Sequence, residues 1–164
     1  MNRRVIILDK PGKKEVVVPL SKRGEKVEVL GLVLGKEKGE YELVVTMDHK
    51  VGRTKGRVEV RGVAQNGAKV KVSGMIRIDK NCRQVDDFLE IRLLLLDDKS
   101  WATVEPRLEI ESNEVKASHA ATVSKVNEKQ LSYLANRGIE RVKAKEVIVE
   151  GFLKEITDKI KGDV

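Results

Sequence analysis

The chain has 164 residues, 40% of them apolar, with 33 Lys and Arg against 26 Asp and Glu and a formal net charge of +7; this suits one compact domain and excludes a wholly disordered chain. The longest apolar run, Leu93 to Leu96, is far too short to span a bilayer as a helix, and Val5 to Leu8 after Arg3 and Arg4 is too short for a signal sequence. One cysteine, Cys82, excludes an internal disulfide, and two histidines exclude a three-histidine metal centre, so a cytoplasmic setting is expected.

From Val5 to about Val126, apolar residues recur at every second position in short stretches such as Glu15–Val18, Val27–Leu30, Tyr41–Val45 and Val70–Val72. That is the period of strands. The pattern Val-x-Val-x-Gly occurs at Val27–Gly31, Val58–Gly62 and Val70–Gly74. It predicts a valine pair on one face and a glycine where the chain bends or approaches another backbone. Repeats of this kind fit a stacked coil of strands or a sandwich, and the spacing leaves both open. Residues 1–126 are therefore read as a β body. Within it, His49 is read as part of a polar turn without a role, and Asp86-Asp87 as a turn before the apolar run Phe88 to Leu96.

The excess positive charge raises a nucleic-acid reading. Its best basis is the cluster Lys50, Arg53, Lys55 and Arg57, yet no aromatic neighbours it in sequence to stack a base, and elsewhere bases alternate with acids, as in Lys36–Glu40. The charges read as solvated faces, and high mixed charge also suits a heat-adapted protein. Near residue 127 the periodicity changes. Asn127 with Gln130 reads as an N-cap opening a helix through Leu131, Leu134 and Ala135 that Gly138 ends with a positive φ. A second helix from about Arg141 places Val142, Val149, Phe152, Leu153, Ile156 and Ile160 close to one stripe. Gly151 inside it predicts close packing against that turn. Residues 127–164 are too few to bury both stripes alone, so the stripes must pack on the β body or on a partner. No phosphate loop and no hydrolase elbow are present, and by residue types alone the chain reads as a non-enzymatic β-rich domain.

One stretch carries more. Trp101-Ala102-Thr103-Val104-Glu105-Pro106-Arg107-Leu108-Glu109-Ile110 is followed by Val115-Lys116-Ala117-Ser118-His119-Ala120-Ala121-Thr122-Val123. Gln130-Leu131-Ser132-Tyr133-Leu134, then Arg137-Gly138-Ile139, then Gly151-Phe152, complete the series. Over residues 70 to 160 these blocks resemble the C-terminal part of the SufB/SufD family, scaffolds of Suf iron–sulfur cluster assembly. The resemblance implies a right-handed parallel β-helix body capped by C-terminal helices. It implies that the helices dock the ABC-type ATPase SufC, with Gln130, Tyr133, Arg137, Gly138 and Phe152 as docking candidates. It further implies pairing with a SufB/SufD-type paralogue or with a second copy as a homodimer.

By position, His119 matches the SufD histidine implicated in cluster assembly. A transient iron–sulfur cluster shared across a subunit interface is the expected cargo, with no tightly bound cofactor and no membrane partner. Ala120 stands where SufB carries Glu and SufD usually Gly, Ala117 where a cysteine is common, and Ser132 where Phe is common. The string from Val115 to Val123 leans toward SufD. Set beside the family pattern, the N-terminal helical region is expected to be missing. Cys82, between Lys80 and Arg83, is the weaker metal or thiolate candidate, its flanking cations expected to lower its pKa. The remaining alternatives are a cluster-free interaction module of the same fold and a basic nucleic-acid binder.

Overall fold

In a computed structural model, residues 1–162 are described; positions 163 and 164, the end of the predicted helical region, lie outside the described residues. Nine strands precede two helices: β1 (Asn2–Leu8), β2 (Gly12–Leu20), β3 (Lys26–Gly35), β4 (Gly39–His49), β5 (Lys55–Ala64), β6 (Ala68–Ile78), β7 (Val85–Leu95), β8 (Trp101–Ile110), β9 (Val115–Lys125), α1 (Glu128–Ala135) and α2 (Arg141–Lys161). Odd strands form one sheet in the order β1-β3-β5-β7-β9, and even strands a second, β2-β4-β6-β8. Every pairing is parallel. The chain therefore winds as a β-solenoid of about four turns, and the sandwich alternative falls away.

Parallel stacking puts equivalent residues of successive turns in register, so the alternation along each strand becomes columns across the sheet. Val29, Val58 and Leu89 form one such column, all buried between the two sheets. Tyr41, Val70 and Ala102 form another in the facing sheet. Burying a Val, Leu or Ile side chain here contributes about 1.5–3 kcal/mol, and the apolar columns repeat that gain at every turn. The glycines of the Val-x-Val-x-Gly repeat do not mark bends. They lie within strands on the inward face, where a Cβ on Gly31 would come 2.9 Å from Val60 Cγ2 and one on Gly74 2.6 Å from Leu89 Cδ2. They make room for bulkier residues in an interior that tolerates little overpacking.

The outer face of the five-stranded sheet is apolar where the helices cover it. Leu30, Leu32, Val63, Leu94 and Leu96 form a second buried cluster with Leu131, Ala144, Leu153 and Ile156. The helical hairpin thus lies along a side of the solenoid rather than over its end. Lys145 Nζ donates to the Leu96 carbonyl, while at the other end of α2 Arg3 donates to the Lys159 carbonyl, at 2.9 and 2.8 Å. Between these points the nearly buried Arg61 of β5 binds Glu59 and Glu155 and sits over the Phe152 ring at 5.7 Å.

Asn127 caps α1, its side-chain oxygen accepting from the Lys129 N–H at 2.9 Å. Gly138 has φ +81°; its N–H reaches the Ala135 carbonyl and that of Ile139 the Leu134 carbonyl, the two bonds of a Schellman ending. Two expectations for α2 fail. Val142 is 71% exposed, because it shares the stripe of Val149 and Leu153 but stands in the first turn of α2, where it lines an open groove with Lys36, Gln65 and Asn66. No atom lies within 4 Å of a Cβ placed on Gly151, so nothing packs closely there.

Candidate functional site

The interior columns continue into β8 and β9, the last strand of each sheet, but the burial does not. Val115, Ala117, His119, Ala121 and Val123 continue the inward face of β9, and Ala102, Val104, Pro106, Leu108 and Ile110 that of β8. Val123, Leu108 and Ile110 are nonetheless exposed, as is Trp101 on the outward face at 69%. Among the described residues no further strand covers these edges. The end of the solenoid therefore presents an apolar face and unpaired strand edges, a surface that calls for a cover.

His119 stands in the middle of that face. It pairs in register with Leu89 and so extends the Val29–Val58–Leu89 column. Where the closed turns place an apolar side chain, the last turn places an exposed imidazole. A neutral imidazole supplies one nitrogen ligand to iron or zinc. Among the described residues no three His, Cys, Asp or Glu side chains converge to hold a metal ion.

The ATPase-docking candidates divide. Gln130 and Tyr133 line a shallow groove with Lys129, Leu134 and Ile148, where α1 meets α2. Tyr133 is exposed, and Arg137 lies over its ring at 4.6 Å. Gly138 supplies the turn behind them. Phe152 is not part of this surface, since it packs half-buried between α2 and the sheet under Arg61; its place in the helical stripe, facing the β body, put it there.

Cys82 and His119 are not brought together: His119 is level with Leu89, and the strand from Val85 to Leu89 alone covers about 13 Å. Cys82 is buried in the β6–β7 loop, its Sγ donating to the His49 carbonyl at 3.4 Å. Burial raises its pKa, with the Asp79 charge adding to the rise, contrary to the lowering expected from its cationic neighbours. An apolar, desolvated thiol is a poor nucleophile.

The buried polar cluster beside it was invisible in the sequence. His49 ends β4 with its side chain fully buried. Its Nδ1 is 2.7 Å from Thr54 Oγ1 and its Nε2 2.7 Å from Asp87 Oδ2. Because Thr54 donates its one hydroxyl proton to the Val51 carbonyl, its oxygen accepts from His49 Nδ1–H. The proton between Nε2 and Asp87 leaves the pair net neutral on either atom, as burial favours. Asp86-Asp87 is therefore not a turn. Both lie in β7, Asp86 facing out to Lys55, whose hydrogen bond lowers the Asp86 pKa, and Asp87 facing in. Gly56 opposite leaves the space that the carboxylate fills, since a Cβ there would sit 2.0 Å from Asp87 Oδ2. A signal existed in principle: Gly56 and Asp87 stand opposite each other in successive turns, but only the register reveals it.

The basic cluster read in the sequence also disperses. Lys50 pairs with Asp48 and Asp79, Lys55 with Asp86, and Arg57 lies over the Phe88 ring.

Residues 7–152 match the family described as SUF system FeS cluster assembly, SufBD core domain. The chain belongs to the SufBD family. Among its relatives, an iron–sulfur cluster assembly SufBD family protein of Staphylococcus aureus (strain USA300) is 29% identical over 137 residues. One of Staphylococcus epidermidis shows the same identity over the same length. The match covers 84% of this chain and 30% of each relative, so this SufBD chain spans under a third of their length. The matched region reaches back to β1, well upstream of the blocks that carried the resemblance.

Proposed function

We propose that this SufBD-family chain is a SufD-like, non-enzymatic scaffold subunit of iron–sulfur cluster assembly, and that the open end around His119 is where a nascent cluster is held against a second solenoid. The observation that carries this reading is the exposed His119 in a column of otherwise apolar inward-facing residues. A second solenoid, either a SufB/SufD-type paralogue or another copy of this chain, covers Leu108, Ile110 and Val123 and adds the ligands that one imidazole lacks. The cluster is cargo rather than a resident group. The ATPase, of SufC type, docks on the helical hairpin at Gln130, Tyr133 and Arg137, where an exposed aromatic and a cation sit beside a shallow apolar groove.

Titration calorimetry with the SufC-type ATPase of the same organism tests the docking half, with wild type expected to bind at micromolar affinity or tighter. Tyr133→Ala with Arg137→Ala is expected to weaken binding about tenfold or more; no heat, or no difference, overturns it. For the cluster half, anaerobic reconstitution of the assembled complex is expected to give a cluster absorbance that His119→Ala removes while ATPase binding persists. ATPase binding with no cluster signal in either protein would favour the second reading, an interaction module without cluster chemistry, to which the lack of a three-ligand metal cluster among the described residues lends support.

A further inference from the structure

A different corner of the solenoid gathers cations that the sequence keeps apart. Arg23, Arg53 and Arg83 stand at thirty-residue intervals, close to the length of one turn, in the loops that lead into β3, β5 and β7. Winding stacks these loops: the Gly24 N–H donates to the Arg53 carbonyl at 3.0 Å, and the Arg53 N–H to the Arg83 carbonyl at 2.8 Å. All three arginine side chains are exposed and line one polar groove together with Asn81, Gln84 and Glu114. With about 4.8 Å between turns, the ladder spans roughly 10 Å. Arg23 has no acidic partner among the described residues, Arg53 is held by a neutral group, Gln84 Oε1 at 2.9 Å, and Arg83 meets Glu114 only at 3.8 Å.

The loops beneath are fixed rather than loose. Thr54 and Cys82 tie them to the buried His49 through its ring and its carbonyl. Arg53, Asn81 and Gln84 all hold positive φ, a strained backbone conformation that concentrates at binding sites. Guanidinium forks presented on a rigid frame suit the planar pairs of oxygens of phosphate groups, and rigidity lowers the ordering cost of binding.

We propose that this corner binds a short chain of linked phosphates, such as the triphosphate moiety of a nucleotide or inorganic tripolyphosphate. This goes beyond the scaffold reading and does not depend on it. A short oligophosphate is favoured over a nucleic-acid strand for two reasons. The groove has no aromatic lining to stack a base, and its basic track is bounded after three turns by Glu114, where a polymer would need it to continue.

Calorimetry with inorganic tripolyphosphate, at about 50 and 200 mM salt, tests it. One-to-one binding is expected, weakened about tenfold or more by Arg53→Gly, which removes the fork while relieving the positive φ. Each lost arginine should also flatten the salt dependence by about one unit of logarithmic slope. Arg23→Ala with Arg83→Ala, both on exposed side chains, carries the same expectation should the Arg53 variant unfold. A control that removes Lys10 and Lys99 by alanine, the same charge loss as the double variant but elsewhere, should stay within about twofold. Absence of heat, or equal weakening in the control, overturns the proposal. A single-stranded RNA of a dozen nucleotides that binds about tenfold tighter than tripolyphosphate also overturns it, in favour of a nucleic-acid surface.

Discussion

The two histidines both face the interior of the coil, His49 at the end of β4 in the column of Leu20 and Ile78, and His119 within β9 in the column of Leu89. His49 faces inward in a turn that has neighbours on both sides, and the next turns supply Thr54 and Asp87 to satisfy both ring nitrogens. His119 faces inward in the last described turn, where Leu89 closes one side and nothing closes the other. An inward-facing histidine is therefore a structural staple where the coil encloses it and an exposed imidazole where the coil ends.

That contrast is sharpest in stability. His49→Leu leaves the Asp87 carboxylate buried with neither oxygen bonded, because Oδ1 already lacks a hydrogen-bond partner; a loss of about 3–5 kcal/mol is expected. His119→Ala, on the open face, should stay within about 0.5 kcal/mol of wild type. Urea unfolding midpoints of the two variants check this directly. The His49→Leu, Asp87→Leu double variant should recover part of the loss, since it removes the stranded charge together with its partner. Equal stability of the two single variants would dissolve the distinction between the enclosed staple and the exposed imidazole.

How far the sequence reached follows from the same repeat. Alternation along each strand was legible because every turn has an inside and an outside, and the capped helices were legible from Asn127 and Gly138. The blocks from Trp101 to Phe152 carried the fold class through resemblance. What stayed hidden depends on register across turns: residues some thirty positions apart become neighbours only after winding. For that reason His49 read as a surface turn, Asp87 as part of a loop, and Arg53 as a member of a local cluster instead of a ladder with Arg23 and Arg83. The open end was likewise hidden, because Leu108 and Val123 have the same local pattern as the buried Ile76 and Leu93 beside them.

A smaller effect compares the two corners of the coil. At the corner opposite the arginine ladder, Asp97 accepts from the N–H groups of Asn66, Lys99 and Ser100 and from the Ser100 hydroxyl. Desolvation opposes its ionisation, but these bonds together outweigh it and hold the carboxyl below its usual range. Asp97→Ala should cost about 1–2 kcal/mol near neutral pH. Because the pKa is lowered by folding, this contribution is present above the ordinary carboxylate value of about 4 and is lost as pH falls through the folded value. The gap between wild type and variant in thermal or urea unfolding should therefore narrow on acidification below pH 4. A constant gap across that range would mean that the turn is held by its backbone alone.

The smallest expected effect has the opposite sign and separates the helical hairpin from the solenoid. Inward glycines of the strands, such as Gly74, are held by close neighbours, whereas Gly151 in α2 faces open space. Its backbone is helical, so alanine fits without strain and removes the entropy that glycine loses on folding. Gly151→Ala should therefore raise stability, by up to about 1 kcal/mol, while Gly74→Ala forces a Cβ against Leu89 and lowers it by about 1–3 kcal/mol. Paired thermal melts check both signs at once. Should Gly151→Ala destabilise the isolated chain, α2 would be under a constraint that its packing on Leu30, Val63 and Leu94 does not supply. Should it instead stabilise the chain and weaken only binding of the SufC-type ATPase, the bare surface at Gly151 would be part of the docking face beside Tyr133 and Arg137.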